Sequence, residues 1–194
     1  NLEEFSYDRS GKENNSKFRV IYTGTISVRK GVLYLLDAFY ELELKNSELL
    51  LIGEIDREIS HLLKKYKNCK NIIFKGSMNQ GNLKKFYNTS NVFVLNSIED
   101  GFGMVILQAM ACGLPVITTT NTGGSEVIED EIDGYIIPVR DKETLKKKIL
   151  FFYDNPQRCV EMGRIAKEKV TKKFSWTSYG KRQIDLYSSL LKNN

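Results

Sequence analysis

The sequence predicts an α/β domain built on a doubly wound parallel sheet of about six strands. Three features predict it: short apolar runs without alternation, amphipathic segments between these runs, and a glycine or a polar turn directly after most of them. Strands that helices cover on both faces are apolar throughout, and regular alternation with helices indicates βα units. The length of 194 residues suits one such domain. The expected architecture is therefore Rossmann-like.

Each predicted strand ends at a turn. Gly24, Gly53 and Gly76 come just after the first three runs, and glycine is the residue that most readily allows a sharp change of direction. The fourth run leads into the polar turn 96–100, and the fifth leads into the small-residue loop 121–126. The predicted strands are residues 18–22, 48–52, 71–74, 92–95, 115–118 and 135–138.

Helical periodicity follows every strand. The first helix, for example, has apolar residues at Leu35, Leu36 and Phe39. The predicted helices are residues 32–44, 55–67, 82–89, 104–112, 125–129, 142–153, 156–172 and 176–191. Residues 1–17 are polar and show no period, which predicts a tail or an interdomain linker before a domain at 18–194.

Composition limits the class of protein. A hydrophobic fraction of 41% with 27% charged residues is typical of a folded globular chain. The net charge of +5 favours anionic partners mildly. Much of the excess lies in the lysine groups 64–65, 84–85, 146–148 and 172–173. We interpret these groups as solvated helix faces, with an anionic membrane surface or an acidic substrate as the alternative.

Several kinds of chemistry are disfavoured. Cys69, Cys112 and Cys159 are odd in number and widely spaced, so neither a disulfide framework nor a zinc site is indicated, and reduced thiols in a cytoplasmic protein are expected. The single histidine, His61, falls in the lysine-rich second helix, where a surface role is expected. A serine-histidine-acid set cannot be built. Any chemistry must rest on positioning and electrostatics.

Ligands of open α/β sheets bind beyond the carboxyl ends of the strands, so the loops there hold the candidate residues. After the first strand, Gly24 is followed by Arg29, Lys30 and Gly31. The glycine lets an anion approach the backbone, and the two cations would neutralise phosphate. A solvated basic turn explains the same residues equally well.

The loop after the fourth strand carries a second candidate. It consists of Asp100, Gly101, Phe102, Gly103 and Met104. Two glycines at a helix start expose backbone N–H groups that suit a diphosphate, although a tight strand-to-helix turn would look the same. Asp100 and Gln108 flank this turn and are suited to hydrogen bonds with sugar and ribose hydroxyls, whereas each alone is more often a cap or a surface residue.

The loop at 121–126, after the fifth strand, is the last candidate. Its small residues would let it close over a ligand and place Glu126 in the cleft. A flexible connector that ends in a helix cap at Ser125 is the other interpretation.

These signals together resemble one family. The stretch SIEDGFGMVILQAMACGLPVI at 97–117 is similar to the signature of the family 4 retaining glycosyltransferases. Further similarities are Gly123-Gly124-Ser125-Glu126 with Asp133-Gly134, the turn Arg29-Lys30-Gly31, and Phe174-Ser175-Trp176 before the last helix. The resemblance covers about residues 18–191, in the expected order.

The resemblance implies the GT-B architecture, in which two Rossmann-like domains face each other across a cleft. The chain would be the C-terminal domain, which holds the nucleotide sugar, and the N-terminal acceptor domain is expected to be absent. The last helix would pack toward that domain, so exposed apolar surface is expected on it.

The resemblance also implies roles for individual residues. Arg29 and Lys30 would face the diphosphate, with Lys30 the better candidate, and residues 103–105 would offer backbone N–H groups to the sugar and the phosphate. Gln108 would hold the ribose, and residues 76–78 would border the nucleobase. Asp100 would hold the sugar hydroxyls, with the preceding Glu99 as the other acid in question. The donor-binding candidates are Gly24, Arg29, Lys30, Gly76, Met78, Gly101, Phe102, Gly103, Met104, Val105 and Gln108, and the catalytic candidates are Asp100 and Glu99.

The chain departs from the family pattern at three positions. The family usually has glutamates where Asp100 and Gln108 stand, and often an arginine where Thr25 stands. Aspartate at position 100 and glutamine at position 108 can still bind hydroxyl groups, so we interpret these two departures as tuning of the donor site. The departures also permit a non-catalytic module that binds a nucleotide sugar or recruits a partner. An epimerase lacks a candidate acid/base pair, and a dinucleotide oxidoreductase lacks GxGxxG after the first strand.

The expected function is to hold the donor for transfer of a sugar from a nucleotide diphosphate to an acceptor hydroxyl with retention, in cell-surface polysaccharide or glycolipid synthesis. The chain alone is expected to be inactive, with neither metal nor cofactor. The acceptor would be a glycan or a lipid-linked sugar bound through the other domain. A cytoplasmic location is expected, with peripheral contact at the inner membrane face as an addition, and no nucleic-acid partner.

Overall fold

The computed structural model describes residues 2–5 and 17–192. They contain one sheet, made of β1 (Phe18–Thr23), β2 (Ser47–Ile52), β3 (Ile72–Phe74), β4 (Val92–Leu95), β5 (Val116–Thr119) and β6 (Gly134–Ile137). All pairings are parallel, in the order β3-β2-β1-β4-β5-β6. This is the doubly wound order of dinucleotide-binding folds. The predicted fold class is therefore confirmed, and every predicted strand lies within one residue of an observed one.

Helices cover both faces of this sheet. The α-helices in the described part of the chain are α1 (Val32–Leu42), α2 (Lys64–Lys67), α3 (Gln80–Asn88), α4 (Met104–Ala111), α5 (Lys142–Asp154), α6 (Pro156–Lys173) and α7 (Trp176–Lys192). Shorter 3₁₀ helices form at Leu2–Phe5 and Gly123–Glu126. Helix α1 packs beside α5, and α4 packs beside α6. The core lies between these helices and the strands, where β2, β4 and β5 are buried along their whole length.

Two predicted helices are wrong in extent. The segment predicted as a helix at 55–67 is α-helical only at Lys64–Lys67, and tight turns precede it. Bonds such as Leu62 N–H to the Ile59 carbonyl, at 2.9 Å, close these turns over three residues rather than four. Ile59 and Leu63 are fully buried, so these turns place the same apolar side chains in the core as a helix would. His61 consequently lies in an exposed turn before α2, not in a helix.

The helix predicted at 125–129 is a 3₁₀ helix at Gly123–Glu126. The side chain of Thr122 accepts the backbone N–H of Gly124 at 3.1 Å and so begins the turn earlier than the sequence suggested.

The segment Leu2–Phe5 packs against the domain. Phe5 is buried, and its ring meets Tyr87 edge to face at 6.0 Å between centroids. The Cys112 thiol donates to the Phe5 carbonyl at 3.6 Å. The tail or linker predicted at 1–17 lies mostly outside the described residues, and its role as a linker stays a prediction.

Helix α7 presents apolar side chains to solvent, as expected for the last helix. It packs against α6, yet Trp176 is 67% exposed and Leu191 is 78% exposed. The other exposed apolar residues of α7 are Tyr179, Ile184, Leu186, Tyr187 and Leu190. None of the helices in the described residues combines the length and the hydropathy that crossing a bilayer requires.

Candidate functional site

Three loops meet at the carboxyl ends of the central strands. The loop after β4 lies between the loops after β1 and β5 and bonds to both. The Ile98 N–H donates to the Arg29 carbonyl at 2.9 Å on one side, and the Asp100 N–H donates to the Asn121 carbonyl at 3.1 Å on the other. Backbone bonds of this kind fix the relative positions of the side chains that the loops carry.

The contact between the first two loops requires a glycine. Gly31 has a φ of 66°, and a Cβ at this position would lie 2.1 Å from the backbone oxygen of Asn96. The Asn96 side chain donates to the Gly31 carbonyl at 2.7 Å. Because no other residue fits this approach, Gly31 brings the turn that carries Lys30 directly against the end of β4.

The loops after β1 and β4 enclose a cleft of about 390 Å³. Its lining residues are Thr23, Gly24, Thr25, Arg29, Lys30, Leu95, Asp100, Gly103, Met104 and Val105. The basic turn and the glycine turn, each ambiguous in the sequence, thus share one cavity. The start of α4 also lines the cleft, and Gly103 just before it has a φ of 65°. The first backbone N–H groups of a helix lack partners within it and carry a partial positive charge.

Lys30 and Asp100 form an ion pair in this cleft. The Lys30 ammonium lies 2.5 Å from the Asp100 carboxylate, and the two side chains are 14% and 15% exposed. The other contact of this carboxylate is weak, because the Ser97 hydroxyl lies 3.5 Å away. The sequence pattern does not reveal this pairing, since 70 positions separate the two residues. The ammonium and the carboxylate are therefore close together, and each uses only part of its hydrogen-bonding capacity. They can exchange this contact for one with a ligand.

Arg29 lines the cleft, and Glu99 lies next to it outside the lining. The Arg29 guanidinium donates to the Glu99 carbonyl at 3.1 Å, so it braces the loop after β4. The Glu99 side chain is exposed and is not part of the lining, whereas Asp100 is. Of the two acids that the sequence offered, the structure brings Asp100 into the cleft.

Gly101 and Phe102 support the cleft from outside. The Gly101 carbonyl accepts the Gly123 N–H at 2.9 Å, and a Cβ on Gly123 would lie 2.6 Å from the Cα of Phe102. Neither Gly101 nor Phe102 lines the cleft. Glu126 is exposed and also stays out of it.

Gly76 lies along the same edge of the sheet, two strands away. The Gly24 N–H donates to the Ile52 carbonyl at 2.9 Å, and the Gly53 N–H donates to the Gly76 carbonyl at 2.9 Å. These bonds connect the loops after β1, β2 and β3 in a row. Gly76 and the half-buried Met78 are outside the lining of the cleft, at the far end of this row.

Gln108 stands one helical turn after Met104 and Val105, on the same side of α4. The residue is 7% exposed, and its Oε1 atom has no hydrogen-bond partner among the residues that the structure describes. Buried polar atoms nearly always have a partner. Gln108 is absent from the lining of the cleft. It is a candidate contact behind the start of α4 because its buried oxygen has no partner among the described residues.

Sequence analysis also missed Tyr22. Its hydroxyl donates to the Thr25 carbonyl at 2.7 Å and so fixes the turn that begins at Gly24. Burial, with a contribution from the Asp100 carboxylate, raises the pKa of the Tyr22 phenol far above its usual range. The phenol therefore stays a hydrogen-bond donor at any physiological pH. The sequence signal that could have identified Tyr22 is its position near the end of an apolar strand, directly before Thr23-Gly24.

The fold and the cleft place the chain among the Rossmann-like α/β domains. Residues 4–169 match the family model described as glycosyl transferases group 1, and the chain belongs to this family.

Curated relatives agree with this assignment. The capsular polysaccharide biosynthesis glycosyltransferase CapM of Staphylococcus aureus is 28% identical over all of this chain and 53% of its own length. An uncharacterized glycosyltransferase of Methanocaldococcus jannaschii is 31% identical over 80% of this chain and 44% of its own length. The chain thus spans about half of the length of the curated relatives it matches.

Solved structures share the fold over the whole chain. Sucrose-phosphate synthase of Thermosynechococcus elongatus superposes with a TM-score of 0.86 at 26% identity, over 100% of this chain and 51% of that one. Anabaena HepE, determined in complex with UDP-glucose, gives 0.84 at 18% identity, over 97% of this chain and 55% of that one. The C-terminal domain of LpcC from Francisella tularensis gives 0.82 at 20% identity, over 91% of this chain and 98% of that one.

Proposed function

We propose that this chain binds a nucleotide-diphosphate sugar as the donor domain of a retaining glycosyltransferase. The observation that carries the proposal is the convergence of the Lys30 ammonium and the start of α4 on one cleft at the carboxyl edge of the sheet. A cation and helix N–H groups that face the same space are suited to a diphosphate.

The diphosphate occupies the cleft between Lys30 and residues 103–105. Backbone N–H groups at the helix start bind the phosphate oxygens, and the Lys30 ammonium moves from the Asp100 carboxylate to the phosphates. These groups offset the charge that develops on the leaving nucleoside diphosphate. The proposal therefore includes neither a metal ion nor a cofactor.

The sugar and the nucleoside extend from the diphosphate in opposite directions. Once Lys30 binds phosphate, the Asp100 carboxylate accepts hydrogen bonds from the sugar hydroxyls. The buried oxygen of Gln108 accepts a bond from the ribose, which supplies the partner that it lacks among the described residues. The nucleobase lies along the row of loops that ends at Gly76, where the surroundings are open enough to leave a Cβ without contacts.

UDP-glucose is the first donor to test. Anabaena HepE has been solved with UDP and with UDP-glucose on this fold. The proposal for UDP rests on this neighbour, and ADP- and GDP-sugars are the comparison.

Transfer itself requires an acceptor domain, which we propose to pack against the exposed apolar face of α7. Two observations support this arrangement: the chain matches about half of the length of CapM, and the apolar residues of α7 face solvent. The relation to CapM supports polysaccharide or glycolipid synthesis as the pathway class. A peripheral membrane contact, where a lipid-linked acceptor would be met, is part of this proposal.

Calorimetric titration tests the donor site. We expect UDP-glucose and UDP to bind the 194-residue chain, and UMP, which lacks the second phosphate, to bind at least tenfold more weakly. Ligand binding to the folded state alone also raises the melting temperature. Failure of every nucleoside diphosphate and nucleotide sugar to bind at millimolar concentration, in a chain that shows cooperative unfolding, would refute the proposal.

A non-catalytic donor-binding module is the second candidate. The aspartate and glutamine at positions 100 and 108, where the family usually has glutamates, favour it. The two candidates differ in a product assay with the complete protein. A protein that binds the donor but transfers no sugar, and that gains transfer in the double variant Asp100→Glu/Gln108→Glu, is the non-catalytic module. Transfer by the unaltered protein excludes it, and the anomeric configuration of the product, read by NMR, decides between retention and inversion.

A further inference from the structure

We propose that the β3 edge of the sheet is a docking surface for an anionic lipid bilayer. The surface, which we call the basic rim, consists of the exposed lysines Lys64, Lys67, Lys70, Lys75 and Lys85. The inference rests on the proposed membrane contact and names its surface and its lipid chemistry. Its test needs no donor, so its failure would leave the donor site unaffected.

The sequence concentrates charge in one stretch. Residues 59–98 contain seven lysines, no arginine and no acidic residue. A run of this length without an acid is unusual in a chain that has 24 acids among 194 residues. The sequence pattern alone is compatible with scattered lysines on several faces, and the fold decides where they lie.

The fold gathers these lysines at one edge. The stretch forms α2, β3 and α3, and β3 is the outermost strand. Because parallel crossovers are right-handed, the connection that leads out to β3 and the one that returns to β4 lie on opposite faces of the sheet. Tyr66 of α2 accordingly contacts Tyr40 of α1, whereas Tyr87 of α3 contacts Phe5 on the other face. Lysines therefore border the edge strand from both sides.

The charge of the rim is largely uncompensated. Among the residues that the structure describes, none of the five rim lysines has an acidic partner within ion-pair distance, while the neighbouring Lys65 pairs with Asp37 at 2.9 Å. The opposite edge, at β6, differs. There Lys148 lies near Glu131, and Arg158 pairs with Glu161 at 2.8 Å. The net positive charge of the domain is thus displaced toward β3.

Protection of the edge strand is the plain alternative, since lysines on an edge discourage pairing with another chain. Two observations make it insufficient. Strand β3 has only three residues, and the rim lysines stand on the flanking helices and at the strand ends rather than within it. At the other edge strand, β6, the neighbouring cations Lys148 and Arg158 both have glutamate partners.

The chemistry of the rim fits a bilayer better than a nucleic acid. Lysine supplies a point charge without the planar donor fork by which arginine recognises phosphates and bases. Such charges respond to the diffuse potential of anionic lipids, at about fivefold in affinity per residue. Leu62, 43% exposed, and Tyr40, 48% exposed, lie near Lys64 and Lys65 and are side chains that enter a membrane interface.

Vesicle sedimentation tests the rim. The experiment measures binding to phosphatidylcholine vesicles and to vesicles that also contain phosphatidylglycerol. It uses the unaltered chain and the variant Lys64→Gln/Lys67→Gln/Lys70→Gln/Lys85→Gln. The control variant Lys147→Gln/Lys172→Gln/Lys173→Gln/Lys181→Gln has the same net charge and removes exposed lysines from α5, α6 and α7. Calorimetry with UDP-glucose checks that donor binding is the same in both variants.

We expect binding to the anionic vesicles only, and its loss at high salt. The rim variant should bind them more than a hundredfold more weakly, as four lysines at about fivefold each imply, and the control less than tenfold more weakly. Equal losses in the two variants would attribute binding to net charge and overturn the proposal. So would absence of binding to anionic vesicles, or rim-dependent binding to single-stranded RNA without binding to vesicles.

Discussion

Two lysine–aspartate pairs in this domain use the same chemistry for different ends. Lys30 with Asp100 and Lys169 with Asp133 both bury the lysine to 14% exposure. Asp133 is fully buried and also accepts the Glu129 N–H at 2.9 Å, and Lys169 reaches the Val127 carbonyl at 3.3 Å as well. Asp100 has its lysine partner and one weak contact at 3.5 Å.

The difference lies in what else each pair contacts. The pair at Asp133 is also bonded to backbone groups of the turn before β6 and fastens that turn to α6, so removal of either group leaves the other without its charged partner. The pair at Asp100 faces a cleft and can exchange partners. A buried pair that is also bonded to the backbone therefore serves structure, and a pair that faces a cleft is suited to binding.

Replacement of Asp133 should have the largest effect on stability. Asp133→Ala leaves Lys169 and the Glu129 N–H without their buried acceptor, and we expect a loss of about 3 kcal/mol in the free energy of unfolding. Urea titration of the variant measures it. Asp154→Ala, at an exposed position, should change stability by less than about 0.5 kcal/mol. Similar values for the two variants would contradict a structural role for the Asp133 pair.

Gly31→Ala should have the next largest effect, because it disrupts the loop contact that holds Lys30 near Asp100. The added methyl group would lie 2.1 Å from the Asn96 oxygen at a φ of 66°, and we expect a cost of about 1–3 kcal/mol. Thermal unfolding and UDP calorimetry should both show a loss. Gly101→Ala is the matched control, since its Cβ meets nothing within 4 Å. Normal UDP affinity in Gly31→Ala would show that the approach of the two loops is not needed.

Lys30→Met should weaken binding rather than stability. Loss of one charged hydrogen bond to phosphate lowers affinity for UDP by about 10- to 100-fold. The melting temperature should change little, because the pair is only partly satisfied. Lys147→Met, an exposed lysine on α5, is the control and should bind UDP normally. An equal affinity in the two variants would remove Lys30 from the phosphate site.

Asp100→Asn should give the smallest effect, and one of opposite sign. It frees the Lys30 ammonium from its competing anion, so we expect affinity for UDP to rise about two- to fivefold. The same change should abolish any preference for UDP-glucose over UDP, because the sugar hydroxyls lose a charged acceptor. Calorimetry with both ligands measures the two effects. A fall in UDP affinity would mean that Asp100 orients the cation rather than competing for it.

Periodicity and glycine placement made most of the fold predictable. The six apolar runs were found within a residue, since each is long enough to be buried and is closed by a turn signal. The segment at 55–67 was wrong because helical periodicity does not distinguish an α-helix from successive tight turns that bury Ile59 and Leu63. The sequence pattern singled out Lys30, Asp100 and the start of α4, which line one cleft, but not Tyr22, whose contribution is a single hydrogen bond to a backbone carbonyl.

By itself, the sequence determined the order of strands and helices, the family, and the loops in which chemistry should be sought, because these depend on local pattern and motif. Only the tertiary structure decided that Lys30 pairs with Asp100, that Asp100 rather than Glu99 faces the cleft, and that the lysines of 59–98 gather at one edge. The physical reason is distance along the chain. Contacts between residues 70 positions apart arise when parallel strands align their carboxyl ends, and that alignment exists only in the folded sheet.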